Sequence, residues 1–313
     1  MTDLIATPSF SREEEKVASL LENFFEIEGI VSHRVKNNVW VKNKNFTAGK
    51  PTVLLNSHLD TVRPNSGYTR DPFKPEVIEG KLFGLGSNDA GGPLVSLVAA
   101  FLHFNSRTDL KYNIVLAATA EEEISGTGGI ESIWSTLPQI DFAIVGEPTL
   151  CEMATAEKGL MVLDCLSKGK SGHAAREEGI NAIYSALPDI EWFRSYKFPK
   201  YSEALGEMKM SVTIINSGSQ HNVVPAECKF TVDVRVTDAY SLEEALEVIK
   251  KNVACEVTPR SLRIRSSGIA MDHPLVLAAQ KMGIRFGETI KAYVKNPELK
   301  VKNLVYIPLV IAG

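Results

Sequence analysis

His58-Leu59-Asp60 is the first stretch whose residue types and spacing could do chemistry. It follows the apolar run Val53-Leu54-Leu55, which predicts a buried strand. A histidine at a strand's C-terminal end stands where open α/β sheets place their sites. A carboxylate two residues on can hydrogen-bond the second ring nitrogen and fix the tautomer that a metal-ligating imidazole needs. Further along comes Gly84-Leu85-Gly86-Ser87-Asn88-Asp89-Ala90-Gly91-Gly92, a glycine-punctuated turn with one acid, Asp89, just before an apolar helical run from Pro93 to Phe104. Taken singly, these motifs fit a core histidine and a solvated turn acid equally well.

Two further acidic motifs shift the balance. Ile114 to Thr119 predicts a second buried strand and runs straight into Ala120-Glu121-Glu122-Glu123. Phe142 to Val145 predicts a third and ends in Gly146-Glu147-Pro148-Thr149. Consecutive glutamates repel one another, and at a sheet terminus they cannot all face bulk water. The start of a surface helix is the competing reading, because acids favour helix N-termini. Glu147, alone at the next strand end, weakens it. Convergent imidazole and carboxylates suit a borderline divalent cation, zinc first. Two such ions sharing a carboxylate at ~3.5–4 Å would relieve the crowding, and a glutamate left free beside them could take a proton from water.

The elements that must position these groups alternate strand, helix, strand through the first half, the grammar of an α/β fold with a doubly wound, mostly parallel sheet. Ser11-x-x-Glu14 predicts a capping box, and Val17, Leu20, Leu21, Phe24 and Phe25 give the helix behind it an apolar face that ends at Gly29. Val39 to Val41 predicts a short strand. From Met161 the order becomes strand-helix-strand-strand-helix-strand, an α+β ferredoxin-like unit. We place it at 157–262, inserted between catalytic segments 1–156 and 263–313. Its second helix is capped by Ser241 and Glu244, and another helix starts at Pro274.

The bulk numbers allow this. A chain of 313 residues with 44% hydrophobic and 23% charged residues can bury a sizeable core in one large domain or two ordinary ones. A net charge of −4 without a block of like charge argues against a nucleic-acid partner. Cys151, Cys165, Cys228 and Cys255 are dispersed with no CxxC spacing, which predicts buried free thiols and a reducing, cytoplasmic setting. Met1-Thr2-Asp3 does not open a signal peptide. Leu304 to Ala312 is too short to span a bilayer, so no membrane partner is expected.

Ser57-His58-Leu59-Asp60, Gly86-Ser87-Asn88-Asp89-Ala90-Gly91-Gly92, Thr119-Ala120-Glu121-Glu122-Glu123 and Gly146-Glu147-Pro148-Thr149 together resemble the dizinc aminoacylase and carboxypeptidase family, in its order, from Leu4 to Gly283. That family includes acetylornithine deacetylase and succinyl-diaminopimelate desuccinylase. The resemblance implies a zinc-dependent amidohydrolase that removes an acetyl or succinyl group from an N-acyl amino acid such as N-acetylornithine, in arginine biosynthesis. It implies His58, Asp89 and Glu147 on one zinc, with Asp89 bridging, and Glu123 on the second. Cobalt or manganese could substitute. Glu122 would be the general base, and Asp60 would orient His58. It also implies a cis Asp89–Ala90 peptide. The inserted unit resembles the family's dimerisation lid and implies a homodimer. There His173, in Ser171-Gly172-His173-Ala174-Ala175, would stabilise the oxyanion across the dimer, in the partner's site, while Asn222 and Arg235 would hold the substrate's carboxylate or carbonyl.

The pattern departs at both ends. The family's second zinc takes a histidine near the C-terminus, but none of the six here (His33, His58, His103, His173, His221, His273) follows His273, which in Asp272-His273-Pro274 opens a helix. Leu4 to Ser9 reads like the end of a helix whose beginning is absent, and the stretch from Gly287 on resembles nothing expected there. A truncated or altered product, or a natural variant with a remade terminus, would explain both. The expectation is one retained zinc and a weak Glu123 site. An impaired relative serving as a ligand-binding or dimerising protein, or a metallocarboxypeptidase acting on peptides, are the alternative readings.

Overall fold

The structure, a computed structural model, describes residues 1–150, 152–176, 178–286 and the backbone of 304–306. The described residues divide into two compact units, Met1–Thr155 with residues from 268 on, and Ala156–Ser267. The sequence reading set the second at 157–262.

The first unit is built on a six-stranded mixed sheet. Along the chain come helix α1 (Glu15–Ile27), strands β1 (Ser32–Val35), β2 (Asn38–Lys42) and β3 (Thr52–His58), helix α2 (Gly92–Asn105), and strands β4 (Asn113–Thr119) and β5 (Phe142–Val145). The spatial order is β1-β2-β4-β3-β5 and then Leu304–Tyr306. The pairs β4–β3 and β3–β5 are parallel, whereas β1 and β2 join antiparallel. Alternation along β3 explains the layers. Val53 and Leu55 face a core with Phe25 of α1 and Leu97 and Phe101 of α2. Leu54 faces the other side, with Trp40, Val115 and Ile133. With both faces covered, β3 and β4 read as near-continuous apolar runs.

The register matters for function. His58 pairs with Thr119 and Asn56 with Val145, so the C-terminal ends of β4, β3 and β5 lie side by side. Whatever follows these strands must emerge at one edge.

The predicted capping box at Ser11 does not form. Helix α1 starts at Glu15 with Glu14 as its N-cap and no side-chain cap. The Ser11 hydroxyl instead donates to Asp60 Oδ2 at 2.7 Å. Glu14 is fully buried and turns away from its own helix, accepting from Arg12 N at 2.7 Å and Asn37 Nδ2 at 2.8 Å. Ser11 is drawn off by Asp60, and Glu14 by Arg12 N and Asn37 Nδ2, so neither side chain is left to close the cap.

The second unit has strands β6 (Gly159–Lys168), β7 (Lys209–Ser217), β8 (Glu227–Val236) and β9 (Glu256–Pro259), with helices α3 (Ala182–Ser195) and α4 (Leu242–Asn252). Its sheet is antiparallel in the order β7-β8-β6-β9, the split βαβ arrangement. Leu163, Phe230, Val232, Phe193, Leu246 and Ile249 fill its core. Ser241 and Glu244 make the reciprocal capping box expected of them. Cys165, Cys228 and Cys255 are free and buried.

In the first unit, His273 caps the helix Pro274–Lys281 by accepting from Leu275 N at 3.3 Å. No described helix is long and apolar enough to cross a membrane. The expectations for the chain beyond Phe286, its missing histidine included, lie outside the described residues apart from the backbone of 304–306.

Candidate metal centre

His58 closes β3 and is 2% exposed. Its Nδ1 lies 2.8 Å from the main-chain carbonyl of Asp60. A carbonyl only accepts, so Nδ1 carries a proton, and in the neutral ring Nε2 is the nitrogen whose lone pair is left for a cation. Asp89 Oδ1 is 3.1 Å from Nε2, Glu147 Oε2 3.8 Å and Glu122 Oε2 3.9 Å. Ligand atoms of His58, Asp89 and Glu123 all lie within 4.8 Å of one another. Four segments far apart in sequence thus bring His58, Asp89, Glu122, Glu123 and Glu147 together.

Each acid arrives by a different route. Asp89 sits in the turn Ser87–Gly91, with extended backbone and a cis peptide to Ala90, before α2 begins. Glu147 follows β5 and is 2% exposed. Glu122 and Glu123 lie in turns just beyond β4, not in a helix. Their neighbour Glu121 turns the chain through a left-handed conformation, φ 56°. The Glu121 carboxylate points away and accepts from Gly128 N at 3.1 Å. Gly126 and Gly128 lack the Cβ atoms that would collide with it.

Asp60 differs from expectation in how it acts. Its fully buried carboxylate is 3.4 Å from His58 Nδ1, farther than its own carbonyl. The carboxylate accepts from the amides of Glu122 at 3.0 Å and Glu123 at 3.1 Å, and from Ser11. Asp60 therefore ties the imidazole and the acidic turn into one frame.

The electrostatics describe a crowded anionic pocket. Burial raises the Glu122 pKa to about 7; the charge of His58 opposes this, and Asp60, Glu123 and Asp89 add to it. Burial likewise pushes Glu123 up and Glu147 well up. Burial pulls His58 down, but the bonds to Asp60 and Asp89 and the charges of Glu147 and Glu122 outweigh it and hold His58 well above its ordinary value. Burial would raise Asp60, yet its bond to His58, with Ser11 and the Glu122 amide, keeps it low. A cation relieves this arrangement.

The donor set fits one. Glu147 Oε2 is buried with no hydrogen-bond donor among the described residues, and it points toward His58 Nε2. An orphaned carboxylate oxygen is costly unless a cation completes it. One imidazole with several carboxylates suits zinc, cobalt or manganese better than a thiol-seeking ion.

The remaining predicted residues belong to the second unit. His173 is exposed, on a two-residue strand paired with Val223–Val224. Its Nδ1 accepts from Ala175 N at 3.1 Å, which leaves the proton on Nε2 as a donor. Asn222 is a neighbour, its carbonyl accepting from Ala174 N at 2.9 Å. Arg235 forks onto Asp233 at 2.7 and 3.0 Å. Sequence reasoning missed Glu14 and Asn38, both fully buried. Glu14 is one acid in the run Arg12-Glu13-Glu14-Glu15, and the only local signal it carries, the capping-box spacing from Ser11, points to a helix cap and not to the site.

Comparison with known proteins gives the chain a family. Residues 54–304 match the peptidase family M20/M25/M40. The acetylornithine deacetylase of Proteus mirabilis is 30% identical over 273 residues, 80% of this chain and 70% of that protein. A succinyl-diaminopimelate desuccinylase of Cereibacter sphaeroides is 29% identical over 256 residues, 76% of this chain and 67% of that protein. A tripeptidase from Staphylococcus aureus shares the fold, with a TM-score of 0.74 at 19% identity over 98% of this chain and 87% of its own. The chain belongs to the M20/M25/M40 family of metal-dependent hydrolases.

Proposed function

We propose that this protein is a zinc-dependent deacylase that cleaves the amide of an N-acyl amino acid, with N-acetylornithine the first substrate and the succinyl analogue the second. The observation that carries the reading is that carboxylate oxygens of Asp89, Glu147 and Glu122 surround His58 Nε2. His58, Asp89 and Glu147 would hold one ion, and Asp89 with Glu123 a second. A divalent cation there supplies Lewis acidity to a carbonyl and to water.

The chain's own groups do the rest. Glu122, poised near neutrality, accepts the proton of the attacking water and returns it to the departing amine. Asp60 holds the Glu122 and Glu123 amides, so both carboxylates keep their aim. His173, protonated on Nε2, is suited to hold an oxyanion, and Asn222 and Arg235 to hold a substrate carboxylate.

A homodimer fits the second unit. Strand β7 is a sheet edge with Ile214 and Ile215 half exposed, and α3 exposes Tyr184 and Leu187. Buried free thiols favour a cytoplasmic setting.

Assay of zinc-loaded protein on N-acetylornithine, N-succinylornithine, succinyl-diaminopimelate and a dipeptide tests the reading. Hydrolysis of an acyl amino acid supports it. Turnover of the dipeptide alone would make this a peptidase, and no turnover by folded, metal-bearing protein would make it a binding relative.

A further inference from the structure

The acidic turn after β4 is held from behind in an unusual way. Four successive main-chain amides each donate to a side-chain oxygen. Ala120 N donates to Asn38 Oδ1 at 2.9 Å and Glu121 N to Glu14 Oε1 at 3.1 Å. Glu122 N and Glu123 N donate to the two oxygens of Asp60 at 3.0 and 3.1 Å. All three acceptors are fully buried. Asn38 is itself clamped, its Nδ2 donating to Gly128 O at 2.7 Å and to Val35 O at 3.0 Å.

We infer that Glu14 is a positioning residue for Glu122 and Glu123. This inference rests on the reading of those two residues as base and metal ligand. Glu14 enters from the start of α1, far from the turn in sequence. Every hydrogen bond it accepts comes from an uncharged amide: Arg12 N, Glu121 N and Asn37 Nδ2. Among the described residues no cation pairs with its carboxylate, so the contacts that hold Glu14 there are amide contacts. Its contact falls on Glu121, the residue with φ 56°. A non-glycine residue in that region is strained and persists only where its surroundings enforce it. The rotation at Glu121 sends its own carboxylate toward Gly128 and the next two toward His58. Releasing the Glu121 amide would let that rotation relax, and the aim of Glu122 and Glu123 with it.

The role depends on reach rather than charge, which separates it from a structural part. Glu14→Gln keeps a carbonyl oxygen within reach of Arg12 N and Glu121 N and places its mismatch, NH2 against Asn37 Nδ2, on the oxygen that does not touch the turn. Glu14→Asp keeps the charge but falls one methylene short. Cobalt(II) titration of the metal-free full chain, followed by visible absorption, reads metal affinity and ligand geometry without any substrate. Groups behind metal ligands commonly govern affinity by about 10–100-fold. The expected result is a roughly tenfold loss of cobalt affinity and an altered spectrum in Glu14→Asp, with Glu14→Gln within about threefold of wild type. On an active substrate, Glu14→Asp should lower kcat and leave KM nearly unchanged. A Glu14→Asp protein with wild-type affinity and spectrum would overturn the proposal, as would a Glu14→Gln protein equally impaired at unchanged melting temperature. Wild type that binds no cobalt would remove the metal-centre reading and this inference together. Wild type that binds cobalt but hydrolyses nothing would remove only the proposed substrate.

Discussion

The atom of Asp60 nearest His58 Nδ1 is its main-chain carbonyl oxygen, at 2.8 Å, while its carboxylate stands at 3.4 Å. The carboxylate is thereby free to take the amides of Glu122 and Glu123. One residue sets the imidazole with its backbone and the base with its side chain.

Asp60→Asn should therefore keep the main-chain contact to the imidazole, weaken the hold on the His58 charge, and injure the turn. The carbonyl contact survives, but one amide N–H now meets an NH2 group. Such a mismatch costs about 1–3 kcal/mol when buried, and kcat should fall about 10–100-fold while metal affinity changes less. Chemical denaturation beside a metal titration checks both. The low pKa of Asp60 adds a sign. Its contribution is present above the ordinary carboxylate range and is lost as pH falls through its folded value, so the stability gap between wild type and variant should close below about pH 4.

Metal-free protein should become less stable as pH rises. Glu122, Glu123 and Glu147 bind protons more tightly folded than unfolded, and so does His58. Where the native state holds more protons, unfolding free energy falls with increasing pH. For Glu122 the window runs from the ordinary carboxylate value of 4.5 to about 7. Bound zinc should reverse the trend, because the ligands must be deprotonated to hold it. Melting temperatures from pH 5 to 8.5, with and without zinc, measure it; a rising curve for the metal-free protein would contradict the crowded-pocket account.

Glu122→Gln and Glu147→Gln should separate base from ligand. The first should cut kcat by about 10²–10⁴-fold and leave metal content unchanged. The second should lose metal and, without metal, be more stable than wild type at pH 8, since it removes an orphaned buried carboxylate. Zinc analysis after dialysis and a thermal melt of each variant distinguish the two outcomes.

Gly128→Ala should damage the acidic turn from its far side. Its Cβ would run into the Glu121 carboxylate that Gly128 N now binds. Overpacking of this kind costs about 1–3 kcal/mol, and activity should fall further than that stability loss explains. A kcat measured well below the melting temperature tests it.

Much of this was legible in the chain. Apolar runs ending in His58, Glu121 and Glu147 announced strands with chemistry at their C-terminal ends, because strand burial and strand termination are local properties of composition. The capped helix at Ser241 and the split βαβ unit were local in the same sense. Ser11 and Glu14 show the limit. Their spacing spells a cap, yet Ser11 serves Asp60 and Glu14 serves Glu121.

The sequence by itself determined which side chains could meet: one imidazole and its acids, fastened to the ends of strands that had to be buried or, for Asp89, to a glycine-punctuated turn before a helix. Only the tertiary structure decided how they are aimed. That aim comes from buried side chains gripping main-chain amides many residues away, such as Asn38 on Ala120 and Asp60 on Glu123. Such bonds leave no periodicity in the chain, because they depend on which loops the sheet register brings together and not on the residues beside them.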